Sequence, residues 1–186
     1  RYHNGIFYVS TFAATSGKTH IYSTQNIEQG IWKEKTFRPA LHDHSLFFDD
    51  DGKVYMLYGN RKLTLVELNA DVSGIKEGGI NQVVVENSTQ PTQSIGNSVL
   101  GEGSQLFKKD GKYYLFFPAK NHDGIFQIGV AVSDKPEGPF IAEPNPIEGS
   151  FSIDPAVFKD DDGKYYMYFG GLWGGQLQRW RTGEFK

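Results

Sequence analysis

The chain has 186 residues, of which 38% are hydrophobic and 15% aromatic, which is enough for a packed core and excludes an intrinsically disordered segment. Its 19 Lys and Arg residues against 22 Asp and Glu give a net charge of -3 with no single-sign block, which argues against nucleic acid or an anionic membrane as a partner. The absence of cysteine excludes disulfides, thiolate zinc sites and cysteine nucleophiles, and no apolar run approaches the roughly 18 residues of a membrane span.

The first predicted element, from Tyr2 to Ser10, reads as a strand end, the turn Asn4-Gly5 and an aromatic strand, so the chain opens inside a β-hairpin. Strand-like runs follow at Thr19 to Ser23 and Ile31 to Glu34. The hairpin then recurs from Ser45 to Tyr58, around Asp49-Asp50-Asp51-Gly52, and is followed by a run from Leu63 to Leu68. A third copy spans Ser104 to Phe117, around Asp110-Gly111, with runs from Phe126 to Val132 and Gly138 to Ile141 behind it. The fourth spans Pro155 to Phe169, around Asp160-Asp161-Asp162-Gly163. No amphipathic helix stands out.

The turn glycines fall at 5, 52, 111 and 163, separated by 47, 59 and 52 residues. Four short strands per period of about 50 residues match a β-propeller better than a sandwich or jelly roll, which is the structural alternative. The expected fold class is therefore all-β, with residues 1–186 forming about three to three and a half blades of a partial propeller. A closed ring needs about four to eight blades, so further blades or a second chain are expected to close it.

Aligning the copies on the turn glycine exposes a second register. Asp43, Glu102 and Asp154 each lie nine residues before their glycine, just ahead of the first strand of a unit. In a propeller that strand is innermost, so carboxylates at its entry converge on the mouth of the central channel. Convergent carboxylates repel, and burial raises the pKa of at least one, which suits a proton donor beside an ionised partner. The plainer alternative is that acidic residues in turns cap backbone amides and face water.

The two Asp triplets lack the alternating spacing of a calcium loop and lie inside the turns, so solvated turn chemistry is expected of them rather than a metal. His42 and His44 flank Asp43 and are expected on the opposite strand face from it. One of them lines the channel as a donor to substrate or to an ion-associated water, or both simply pack. Most Tyr and Phe alternate along strands as core. Trp173, set among glycines in a loop, is a candidate for stacking on a sugar ring.

The stretches from His42 to Gly52 and from Gly101 to Phe107 resemble the second and third catalytic motifs of glycoside hydrolase family 43. That family consists of five-bladed propellers acting on xylan and arabinan side chains. The resemblance covers essentially the whole chain. It implies inverting hydrolysis with Glu102 as proton donor and Asp43 as the residue that orients and tunes it, and it implies an Asp base in an Asp-Pro motif of the first blade, expected ahead of Arg1. It also implies an oligosaccharide or polysaccharide substrate, with His44, Trp173 and Arg179 as candidate substrate-binding side chains. No cofactor is implied, with a structural calcium in the central channel as the one open option. A polymeric substrate implies an extracellular or periplasmic location.

The segment from Ser152 to Phe158 also resembles the tuning-Asp motif, yet it follows the proton donor. From about Tyr113 onward, the chain resembles a different subfamily, xylosidase and exo-oligoxylanase-like. The expectation is a junction near residues 111–117, with 1–110 and 118–186 related to two distinct groups of propellers. Asp154 is then a second tuning-type Asp, or a substitute base. Alternatives to a glycosidase are a propeller that binds xylan-type oligosaccharides without cleaving them and a scaffold for protein partners.

Overall fold

The computed structural model describes residues 1–60, 62–85, 102–120, 126–150 and 152–170. All regular elements among them are strands, and no helix among them is long and apolar enough to cross a membrane. The first sheet holds β1 (Tyr2–His3), β2 (Ile6–Ala13), β3 (Lys18–Thr24) and β4 (Lys33–Phe37) in that order. The second holds β5 (Ser45–Phe48), β6 (Val54–Asn60), β7 (Lys62–Leu68) and β8 (Asn81–Val85), and the third holds β9 (Gln105–Lys109), β10 (Lys112–Lys120), β11 (Phe126–Ser133) and β12 (Ile141–Ala142). A two-stranded sheet of β13 (Ile153–Lys159) and β14 (Tyr165–Gly170) follows.

These are three antiparallel four-stranded blades and half of a fourth, as the glycine period predicts. The fold is all-β, of the β-propeller type. Two of the hairpins close through two-residue turns. Asn4 and Gly5 (φ 48° and 77°) and Asp110 and Gly111 (φ 52° and 75°) are left-handed at both central positions, the geometry that matches strand twist and that Asn and Gly tolerate. The two Asp-triplet hairpins have longer loops, closed by the pairs Phe48–Val54 and Lys159–Tyr165.

Period-2 alternation explains why β6 is buried on both faces. Val54 and Met56 pack with Ile21 and Leu41 of the first unit, whereas Tyr55 and Leu57 pack with Leu106, Tyr113 and Leu115 of the third. The cores are thus the seams between blades. Around the axis, β5 touches β9 and β9 touches β13. The Gln105 amide clamps Val157 from both sides, accepting from its N–H at 2.5 Å and donating to its carbonyl at 3.0 Å. Arg1 donates to the carbonyls of Leu46 (2.9 Å) and Val157 (3.3 Å). The first strands therefore face one another, as a propeller's innermost strands do.

Three expectations shift. The strand anticipated from Ile31 begins at Lys33, the one anticipated from Gly138 shrinks to Ile141–Ala142, and β8 has no counterpart in the sequence reading. All three are outermost strands, which pair on one edge only and carry the weakest hydrophobic pattern.

Candidate active site

Asp43 and Asp154 occupy equivalent places in their units and share an unusual backbone, with φ of 43° and 56°. Left-handed conformations are disfavoured for residues with a Cβ and persist only where surrounding structure imposes them. At Asp154 the cause is a register shift between Ile153 and Ala156 at the start of β13. At Asp43 it is the loop before β5, which is pinned on both sides. Leu41 is buried and its N–H donates to Thr19 Oγ1 at 3.0 Å, while the Gly59 N–H donates to the carbonyl of His42 at 3.1 Å.

This backbone overturns the expected placing of His42. Strand alternation would send it away from Asp43, but residues 42 and 43 form a turn ahead of the strand and alternation does not apply. His42 Nε2 lies 3.5 Å from Asp43 Oδ2 and 3.2 Å from Glu102 Oε2. The edge of Phe12 supports its ring, with centroids 5.1 Å apart. Asn60, at the end of β6, donates from Nδ2 to Glu102 Oε2 at 2.9 Å. The Glu102 side chain is 26% exposed and that of His42 49%. Neither Asn60 nor the link through His42 was anticipated. A signal existed in the end of β6, where Gly59-Asn60 lies at the same mouth as the strand entries.

Asp154 completes the group. Burial raises its pKa above the ordinary Asp value, and the charges of Asp43 and Glu102 add to the effect. A Cβ on Gly103 would overlap Asp154 Oδ1, so the glycine next to Glu102 is what lets the third carboxylate approach. The three acids that share a register in sequence thus share one electrostatic site.

His44 behaves differently from the expected donor. Its Nδ1 faces the carbonyl of Leu41 at 2.7 Å and must carry the proton, because a carbonyl only accepts. Burial lowers its pKa, so the ring is neutral and its buried Nε2, which has no partner, presents a lone pair. His44 is an acceptor. Trp173 and Arg179 lie outside the described residues.

A cavity of about 1160 Å³ lies between the first sheet and β13, with Asp43, His44, Gly103, Asp154, Asp160 and Asp161 in its lining. Its volume exceeds the roughly 300–1,000 Å³ usual for a small-ligand site, and Asp43, Asp154, Asp160 and Asp161 all contribute carboxylates to its lining. The donors that come closest to a metal site among the described residues are His42, Asp43 and Glu102, within 4.8 Å of one another. They offer one nitrogen and two carboxylates, where calcium takes six to eight oxygens that include waters.

A propeller with three carboxylates at the entry of its inner strands defines the class: a β-propeller with acid–base groups at the channel mouth. Residues 1–124 and again 104–183 match the model of glycosyl hydrolases family 43, and the chain belongs to that family. It is 75% identical over 76 residues to "Xylosidase/arabinosidase 43A" of Humicola insolens, covering 41% of this chain and 23% of that protein. The chain thus spans about a quarter of the length of that relative. Among solved structures it is similar to a bifunctional GH43-CE protein of Bacteroides eggerthii, with TM-score 0.74 and 42% identity over 92% of this chain and 22% of the other. It is also similar to CoXyl43, a GH43 β-xylosidase/α-arabinofuranosidase from a compost microbial metagenome solved with xylotriose, with TM-score 0.63 and 44% identity over 77% of this chain and 46% of that one.

Proposed function

We propose that the chain carries out the acid-assisted step of inverting hydrolysis of xylan- or arabinoxylan-type oligosaccharides. Glu102 is the proton donor and Asp43 orients and tunes it, and the observation that carries this reading is their meeting through His42 Nε2, at 3.2 and 3.5 Å. Glu102 protonates the leaving oxygen while a base on the opposite face of the sugar takes a proton from water, which needs carboxyls roughly 6.5–9.5 Å apart. Asp154 is the base candidate within the chain. A general base works best with a pKa near the operating pH, and burial beside two acids moves Asp154 upward in that direction. The xylotriose in a solved neighbour and the curated xylosidase/arabinosidase relatives support the substrate class.

The family model matches the chain in two segments, 1–124 and 104–183, that overlap at the shared hairpin, which is where a junction is proposed. The test of function is xylobiose and xylotriose hydrolysis by this chain and by Glu102→Gln. Turnover that falls by about 10² to 10⁴ in Glu102→Gln supports the donor role. Quenching of Trp fluorescence by xylotriose with no turnover in either protein replaces it with a carbohydrate-binding propeller.

A further inference from the structure

We infer that His42 and Asn60 act together as positioning residues that hold the transferable proton of Glu102 on Oε1; the inference rests on the donor role proposed above. Both residues address the same oxygen. The Asn60 amide donates to Oε2 at 2.9 Å, and His42 Nε2 stands 3.2 Å from it. The tautomer of His42 follows from its second neighbour. Its Nε2 also faces Asp43 Oδ2 at 3.5 Å, and an ionised carboxylate can only accept, so a nitrogen between two carboxylate oxygens is satisfied only when it carries the hydrogen. Two N–H groups therefore converge on Oε2. A proton bound to that oxygen would point at other protons, whereas Oε1 meets no such donor among the described residues.

The arrangement gives the two oxygens separate tasks. In the forward step the Oε1–H bond breaks and its proton passes to the glycosidic oxygen. The C1–O bond breaks with its electron pair going to that oxygen. Water adds to C1 from the other face and gives its second proton to the base. The carboxylate left behind keeps both N–H donors on Oε2, where hydrogen bonds to a charged acceptor are at their strongest. His42 and Asn60 thus do not touch the reacting atoms; they stabilise the product form of the acid and aim its reactant form. Phe12, edge-on to His42 at 5.1 Å, keeps the imidazole from turning away.

The experiment is neutron diffraction on crystals of the protein equilibrated in D2O at a pD below the ordinary glutamate range of about 4.3, which does not depend on turnover. A deuteron on Glu102 Oε1, with deuterons on His42 Nε2 and Asn60 Nδ2 directed at Oε2, is the expected map. A deuteron on Oε2, or an Asn60 amide turned so that its oxygen faces Glu102, overturns the inference. A kinetic arm uses xylosides graded by leaving-group basicity. His42→Leu and Asn60→Leu should each slow poor leaving groups about tenfold more than good ones, the size of one charge-assisted hydrogen bond, and His42→Gln, which keeps an N–H near the Nε2 position, should restore the wild-type gradient. Equal slowing across the series would mean a merely structural role and overturn it. If Glu102→Gln itself leaves the gradient unchanged, the donor assignment fails while the proton map still stands.

Discussion

The hairpins at Asp49 and Asp160 share the sequence Asp-Asp-Asp-Gly-Lys and nearly the same internal hydrogen bonds. In each, the first Asp N–H donates to the Lys carbonyl at 2.9 Å, and the Gly N–H donates back to the first Asp carbonyl, at 3.1 Å in one and 2.9 Å in the other. In each, the first Asp carboxylate accepts from the next N–H and the third from the Lys N–H. Their surroundings differ completely. Asp49 is 4% exposed and takes Lys108 Nζ on Oδ1 at 2.5 Å and the Tyr113 hydroxyl on Oδ2 at 2.6 Å, both from the next blade. Asp160 is exposed and forms no such link among the described residues, and the sheet it joins leaves Tyr168 68% exposed.

The same five residues thus anchor one blade to the next at Asp49, and at Asp160 they are exposed and make no such contact among the described residues. The expectation of solvated chemistry for both is corrected at Asp49. The deciding residues are Lys108 and Tyr113, some sixty positions away. Lys108 lies three residues before its own turn glycine, at the place that Asp49 fills one unit earlier, so the repeat itself sets opposite charges across the seam. The hydrogen bond to Asp49 holds the Lys108 ammonium well above the usual lysine range, and burial pushes the Tyr113 phenol up.

The largest effect should come from removing the anchor. Asp49→Ala leaves the Tyr113 phenol without its acceptor and Lys108 with only Asp50, at 3.2 Å, and should cost about 2 kcal/mol in urea unfolding, whereas Asp160→Ala should leave the midpoint unchanged. Equal losses would erase the distinction between the two turns. Tyr113→Phe removes one of the two arms and should cost about 1 kcal/mol, with its aromatic packing kept. The smallest effect has the opposite sign and reports on the carboxylate mouth. Asp154 is protonated in both folded and unfolded chains below its ordinary value of 3.8, but its raised pKa in the fold makes ionisation unfavourable there. Wild-type stability should therefore fall as pH rises above 3.8 toward neutrality. Asp154→Asn should remove that slope and raise the thermal midpoint at pH 7 by less than about 1 kcal/mol equivalent, since the half-exposed carboxylate is screened.

Much of this was legible in the chain. The glycine period gave the blade count because a left-handed turn position leaves few choices of residue, and the nine-residue register gave Asp43, Glu102 and Asp154 because equivalent strand entries converge in a ring. His42 was misplaced because alternation was applied to a turn whose central residue is left-handed. Asn60 went unnoticed because nothing local marks a strand-end asparagine as facing a carboxylate two strands further on.

Length, aromatic content and turn glycines determined an all-β repeat, since tight hairpins and period-2 burial are short-range properties of the chain. Which aspartate became an anchor, which histidine faces two acids and which presents a bare lone pair were decided only by the tertiary structure. Those outcomes depend on partners from other blades, and a charge or an imidazole takes its character from what surrounds it.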